Sequence, residues 1–212
     1  METSVINLPQ LADKLPKYFT VSVASKRNSG KSFLISKLVR HLINTGRVQM
    51  VLVMSGSAGL NNDYGFLPKK LVQPFNEASL AKLWELQRYT PESKRKHILI
   101  VLDDCLSTKE AITSPTIQSI FTLGRHLWMS CIVMSQVSNW LLSPVLKANS
   151  DIILWSKLNR QQLDTLWSST AGMSKEDFLK FSEQGGHNYQ FCGLDNYTKS
   201  ALPSDCLFVV RA

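Results

Sequence analysis

No apolar run in this chain approaches the roughly 18–20 residues that cross a bilayer, so no membrane-spanning helix is expected. The opening METSVINLPQ has neither a basic n-region nor an apolar h-region, so no secretory signal is expected there. There is no C-x-x-C. The four cysteines, Cys105, Cys131, Cys192 and Cys206, are scattered, which argues against a zinc site. Cys105 and Cys131 lie in or beside apolar runs and are expected to be reduced thiols. Internal repeats, low-complexity tracts and linker-like stretches are missing as well. A chain of 212 residues that is 44% hydrophobic can build one α/β domain with a real core, and is short for two. Acidic residues are the scarcer charge, 16 against 24 lysines and arginines. The net charge of +8 favours an anionic partner through long-range attraction and counterion release, without naming it.

What is present is an alternation. Apolar runs rich in β-branched and aromatic residues predict strands at 18–24, 48–54, 96–104, 128–136 and 151–156. Between them, three- and four-residue spacing predicts helices at 32–46, 76–89, 115–126 and 142–150. The first helix carries Phe33, Leu34, Leu38, Leu42 and Ile43 at that spacing, with Gly46 as its C-cap. Gly, Asn and Ser make 55–68 a loop. Strands separated by helix-sized segments imply an α/β fold, a mainly parallel sheet covered on both faces. After residue 157 two short helices and a pair of terminal strands are expected, a small helical and hairpin extension within one domain, 1–212, around a core of 18–156.

One glycine is conspicuously absent. VSVASKRNSGKSFLISKL (21–38) reads as a phosphate-binding loop, G-x-x-x-x-G-K-[ST], but Ser25 stands at its first position. The chemistry asks for inward-facing backbone N–H groups and a helix N-terminus aimed at the phosphates, not for glycine at every place. Asn28, Ser29, Gly30, Lys31 and Ser32 are the candidate nucleotide-binding residues. Lys31 reaches β- and γ-phosphates, and the Ser32 hydroxyl suits Mg²⁺. ILIVLDD supplies carboxylates at a strand end: Asp103 for Mg²⁺ and Asp104 as a general base toward water. Gln136 ends another strand, where open α/β sheets bind ligands, and its amide can donate to a phosphate and orient water. Arg125, in the LGRH segment, carries a planar permanent charge suited to phosphate.

In this order, Gly30-Lys31-Ser32, Asp103-Asp104, Gly124-Arg125-His126, the strand ending in Gln136, and SPVLKANSDIILW (143–155) resemble the DNA-packaging ATPases of large double-stranded DNA viruses. These form the poxvirus-type branch of the FtsK–HerA superfamily, with similar enzymes in viruses that have double-jelly-roll capsids. The resemblance covers about 18–156 and, more loosely, NYQFCGLD (188–195). Two positions depart from it: Ser25 replaces the opening glycine, and Asp104 stands where many superfamily members carry glutamate. The resemblance implies a P-loop ATPase using ATP and Mg²⁺ to move double-stranded DNA into a preformed capsid. It also implies a homo-oligomeric ring of five or six subunits, contact with capsid or vertex proteins, and a place in the virion or inside the host cell rather than outside it. Lys31 and Ser32 would bind phosphate and Mg²⁺, Asp103 Mg²⁺, Asp104 water, and Gln136 the γ-phosphate. Arg125 would act across a subunit boundary. Basic loops at Lys69 and Lys70 and at Lys94, Arg95 and Lys96 are candidate DNA contacts.

Two other readings stay open on the residues alone. A nucleoside-kinase-like phosphotransferase shares the loop, the acidic strand end and the length, but would want an arginine-rich lid; 137–150 holds Lys147 and no arginine. A non-enzymatic nucleic-acid-binding protein with a structural nucleotide is the third.

Overall fold

The structure is a computed structural model that describes residues 4–60, 62–105, 114–136, 143–168, 173–186, 189–198, 200 and 202–211. Nine strands form one sheet: β1 (Ser4–Ile6), β2 (Thr20–Ser25), β3 (Met50–Ser55), β4 (Val72–Gln73), β5 (Ile98–Asp103), β6 (Met129–Ser135), β7 (Ile152–Ser156), β8 (Gln190–Asp195) and β9 (Leu207–Arg211). Their order is β1-β9-β8-β7-β2-β6-β5-β3-β4. All neighbours are parallel except β7–β8 and β8–β9, so the sheet is mainly parallel with β8 reversed. Eight α-helices are described: α1 (Leu8–Lys14), α2 (Lys31–Asn44), α3 (Glu77–Tyr89), α4 (Pro115–Leu123), α5 (Pro144–Ala148), α6 (Arg160–Trp167), α7 (Lys175–Ser182) and α8 (Pro203–Cys206).

Every residue of β2, β5, β6 and β7 is buried, as expected for parallel strands covered on both sides. Successive side chains go to opposite faces. Val21, Val23, Leu99, Val101, Ile132, Met134, Ile152 and Leu154 pack with Leu34, Leu38 and Leu42 of α2 and Leu11 of α1. Ala24, Ile98, Ile100, Leu102, Cys131, Val133, Ile153 and Trp155 pack on the other face with Leu80 of α3, Ile117 and Ile120 of α4 and Phe178 of α7. The buried stripe of α2 is Leu34, Ile35, Leu38, Val39 and Leu42. Phe33 and Ile43, expected in that stripe, are displaced from it: Phe33 is 50% exposed and Ile43 only packs at the margin. Gly46, at φ +69, follows the Thr45 cap as the left-handed residue after the helix.

The segment after residue 157 does more than append a hairpin. β8 and β9 extend the sheet, and β9 carries β1 as a parallel edge strand. Phe178 and Phe181 of α7 clasp Trp155 of β7, ring centroids 5.5 and 5.7 Å away, and the Trp155 indole donates to Ser182 Oγ at 3.1 Å. The N-terminal β1 and α1 were not anticipated. α1 opens with a capping box: Asn7 Oδ1 accepts from the Gln10 N–H, and Gln10 Oε1 from the Asn7 N–H. Both outer strands are short, three residues in β1 and two in β4. Among the described residues no helix is long and apolar enough to cross a membrane.

β8 pairs with β9 in the sheet, where Gly193 lies opposite Phe208. A Cβ there would lie 2.3 Å from the Phe208 ring, which is itself 1% exposed. Gly193→Ala is therefore expected to lower the unfolding free energy by roughly 1–3 kcal/mol through overpacking. Denaturant unfolding of the two proteins checks this; an unchanged midpoint would mean that Phe208 has room to yield.

Candidate active site

β2 sits between β6 and β7, at the place where the chain's connections diverge to opposite sides of the sheet. In open α/β sheets that is where ligands bind, beyond the carboxyl ends of the strands. Here β2 ends at Ser25, the loop 26–30 follows, and α2 begins at Lys31. Two loop residues adopt left-handed backbone, Asn28 at φ 57 and Gly30 at φ 90. Asparagine tolerates that conformation and glycine takes it without strain. Ser25 is not among the left-handed residues. Its first-turn position thus makes no demand for glycine, and its side chain is used instead: Ser25 Oγ and Ser29 Oγ hydrogen-bond at 2.6 Å, both buried, tying the strand end to the far side of the loop.

The cleft above this loop holds about 530 Å³ and is lined by Asn28, Ser29, Gly30, Lys31 and Ser32 from one side and Asp103, Asp104 and Gln136 from the other. Every expected nucleotide, metal and water residue except Arg125 therefore meets here. The reason is register. β6 lies between β2 and β5, Ala24 pairs with Ser135, and Asp103 pairs with Met134, so the three strands run out together.

The side chains already engage one another. Lys31, 5% exposed, places Nζ 3.2 Å from Asp104 Oδ2. The Gln136 Nε2 donates to the same oxygen. Asp104 Oδ1 is buried without a hydrogen-bond partner. β5 ends at Asp103, and Asp104 takes a left-handed φ of 52, which swings it out of the strand's alternation. Both neighbouring carboxylates thereby face one cleft. Asp103 is 3% exposed; burial first, and then the Asp104 charge, push its carboxyl up to about 6. Lys31, a hydrogen bond from Ser32 and one from Tyr64 work against the rise. Tyr64 Oη donates to Asp103 Oδ2 at 3.3 Å, and burial followed by the Asp103 charge holds its phenol well above the ordinary value. Tyr64 escaped the sequence reading. It lies in the aperiodic loop 55–68, and no spacing rule links a loop tyrosine to an aspartate some forty residues away.

The donor set fits a nucleotide-bound cation. Ser32 and Asp103 offer hard oxygens, and the orphaned Asp104 Oδ1 is an acceptor left open. Among the described residues no group of three or more His, Cys, Asp or Glu is arranged to hold a metal alone. A Mg²⁺ here would need phosphate oxygens and water as further ligands, which is how this ion binds with nucleotides.

Arg125 is elsewhere. It lies in the turn 124–127 before β6, exposed, and Gln136 follows the far end of that strand. Seven strand residues at ~3.3 Å each separate the two by about 20 Å. Arg125 lines a second cleft of about 430 Å³ at the opposite, amino-terminal edge of β2, β6 and β7, with Thr20, Phe121, Met129 and Asp151. Burial raises the Asp151 carboxyl, and Arg125 is among the groups that oppose the rise.

The basic clusters are separate from each other. Lys69 and Lys70 are exposed on a turn leading into the edge strand β4. Lys94 and Lys96 are exposed before β5, on the Arg125 edge. Arg95 is committed to the fold: Nε donates to Thr90 O at 3.0 Å and Gln87 O at 3.3 Å, and Nη1 to His126 O at 3.1 Å. It clamps the end of α3 to the turn before β6.

The fold is that of P-loop NTPases. The B204 genome-packaging NTPase of Sulfolobus turreted icosahedral virus 2, in complex with ATP-gammaS, is similar at a TM-score of 0.64 and 15% identity, over 92% of this chain and 98% of that one. The B204 DNA-packaging ATPase of Sulfolobus turreted icosahedral virus gives 0.64 and 15%, over 92% and 97%. The cytoplasmic domain of the type VII secretion ATPase EccC of Thermomonospora curvata gives 0.61 and 16%, over 91% of this chain and 25% of that one. In sequence, the uncharacterized protein 075L of Invertebrate iridescent virus 6 is 26% identical over 183 residues, 83% of this chain and 70% of the relative. The uncharacterized protein 015R of Frog virus 3 is 26% identical over 200 residues, 90% of this chain but 60% of the relative, so the chain spans less than two thirds of that protein. No protein-family model matches the chain.

The raised Asp103 carboxyl predicts a pH dependence. A cation needs the carboxylate, so Mg²⁺-dependent nucleotide binding is expected to weaken as pH falls through about 6. Titrating a non-hydrolysable ATP analogue between pH 5 and 8, with and without Mg²⁺, checks this. Asp103→Asn is expected to bind weakly throughout and to lose that slope; a variant that keeps it would place the titrating group elsewhere.

Proposed function

We propose that this chain is an ATPase that drives double-stranded viral DNA into a preformed capsid. The observation that carries the reading is the cleft in which Gly30, Lys31 and Ser32 meet Asp103, Asp104 and Gln136 on three parallel strand ends. The likeness of fold to B204, whose structures hold ATP-gammaS, AMPPCP and AMP, supports it. ATP would supply a γ-phosphoryl group, and a bound Mg²⁺ would supply charge neutralisation there. The N-terminus of α2 and the Lys31 ammonium draw phosphate oxygens to the loop. Ser32 and Asp103 would hold the cation. Lys31 then turns from Asp104 to phosphate, which frees the Asp104 carboxylate to accept a proton from the attacking water. The Gln136 amide orients that water through the group now hydrogen-bonded to Asp104.

Arg125 is too far from its own cleft to touch a phosphate there. Its place on the opposite edge suits a heterologous ring, where that edge of one subunit meets the cleft edge of the next. In this reading Arg125 completes a neighbour's site in a ring of five or six copies. The exposed Lys69, Lys70, Lys94 and Lys96 would face DNA phosphates, and the ring would work at the capsid vertex, in the virion or in the host cell.

The experiment is ATP turnover with and without double-stranded DNA over a salt series. Turnover stimulated by DNA, with stimulation falling as salt rises, is the expected result. Transfer of phosphate to a small nucleoside instead would favour a kinase, and a slow DNA-independent rate an accessory role. Lys31→Ala is expected to fold and to lose turnover; near-wild-type rates in that variant would remove the phosphate loop from the mechanism.

Mixing tests the arginine. Arg125→Ala is expected to lose about 10³–10⁵ in turnover while keeping nucleotide affinity. Rings assembled from Arg125→Ala and Lys31→Ala subunits should regain part of the rate, because some interfaces pair an intact loop with an intact arginine. Mixed rings that assemble and stay inactive would end the trans assignment.

A further inference from the structure

We propose that Tyr189 is the stacking platform for the base of the bound nucleotide. The inference rests on the cleft being a nucleotide site and adds where the nucleoside lies. Asp103, Asp104 and Gln136, the groups suited to the γ-phosphate end, come from β5 and β6 on one side of β2. A triphosphate laid along the loop therefore points its other end toward β7 and β8. β8 is two strands from β2 on that side, as β5 is on the other, about 10 Å at ordinary strand spacing. β8 runs antiparallel to β7, so its first residues return to the edge where β2 ends.

Tyr189 stands there, immediately before β8. Its ring edge abuts the loop: a Cβ at Gly30 would lie 2.6 Å from Tyr189 Cδ1 and 3.5 Å from Cε1. The residue remains 60% exposed, and it does not line the cleft of the carboxylates. An aromatic residue pinned by one edge beside a phosphate loop, largely open to solvent, offers a π-face where a base would emerge. The surrounding corner is strained. Tyr189 at φ 58, Lys157 at φ 55 and Gly186 at φ 97 are all left-handed, and the first two are not glycine. Gly186 and Lys157 are in close contact, 2.6 Å from a Gly186 Cβ position to Lys157 Cγ. The hydroxyl of Ser156, at the end of β7 and 3.4 Å from that Cβ position, is buried without a hydrogen-bond partner. Backbone strain and an orphaned polar atom gathered in one corner are features of ligand sites rather than of packing.

The test is equilibrium binding by calorimetry of two probes to the full chain: the β,γ-methylene analogue of ATP, and inorganic tripolyphosphate, which has no base. Tyr189→Ala is expected to weaken the analogue about 5- to 150-fold, the range of base–aromatic stacking, and to leave tripolyphosphate unchanged. Tyr189→Phe should bind both like the wild type. If Tyr189→Ala does not fold, Tyr189→Leu keeps the bulk without the π-face and carries the same expectation. Equal losses for both probes would make Tyr189 a buttress of Gly30, and no loss for either would place the base elsewhere; each overturns the inference while leaving the phosphate site standing. A wild-type protein that binds neither probe, or analogue binding indifferent to Lys31→Ala, would overturn the nucleotide-site reading and this inference with it.

Discussion

Parallel register is the constraint on which the rest of this structure depends. A side chain at the end of one strand meets side chains from its neighbours only if all the strands run the same way and stop together. β2, β6 and β5 do both, so a loop after residue 25, an amide at 136 and carboxylates at 103 and 104 converge although the chain separates the first two by more than a hundred residues. The same register carries Arg125 to the far edge, since it precedes β6 whereas Gln136 follows it. One strand thus separates two charged regions with different geometry, and neither can be moved without the other.

Within the site, charge is shared before any ligand arrives. Lys31 and Gln136 both rest on one oxygen of Asp104, and Asp103 is held beside it in a buried position where its own ionisation is costly. Such an arrangement resists closing on itself, because two adjacent carboxylates and one ammonium leave a negative surplus. A divalent cation there would relieve the repulsion between the two aspartates. The serine at position 25 is compatible with all of this. The loop's left-handed turns fall at Asn28 and Gly30, not at the strand's last residue.

Much of this was legible in the sequence. The long helices and buried strands announced themselves by period and by β-branched composition, and the strand–loop–helix context put Lys31 and Ser32 at the start of a helix, where α2 begins. What escaped did so for physical reasons. β1 is a three-residue edge strand, too short for any period, whereas α1 was readable in principle from its N-x-x-Q capping box, Asn7 to Gln10. Phe33 looked like core because the spacing of an apolar residue does not reveal which side of the first turn faces the cleft; it is half exposed beside the loop. Arg95 looked like free charge, but three backbone carbonyls claim its guanidinium, and carbonyl positions are set by tertiary structure. Tyr64 reaches Asp103, and Tyr189 reaches Gly30, from loops, where sequence offers neither period nor fixed offset.

The short outer strands have a consequence for how copies of this chain can associate. A sheet grows between molecules by adding strands to an open margin, and margins of two and three residues offer too few backbone donors and acceptors to template another strand. Lateral fusion into fibres or swapped sheets is disfavoured at both sides of the molecule. Contact is then left to the surfaces above and below the strand termini and to the helical layers. The strand termini are polar in the directional sense: one end carries the loop and carboxylates, the other the arginine cleft. An assembly made through unlike ends has a sense of rotation built into each subunit, and a closed circle of such subunits inherits a handedness that no single copy could express.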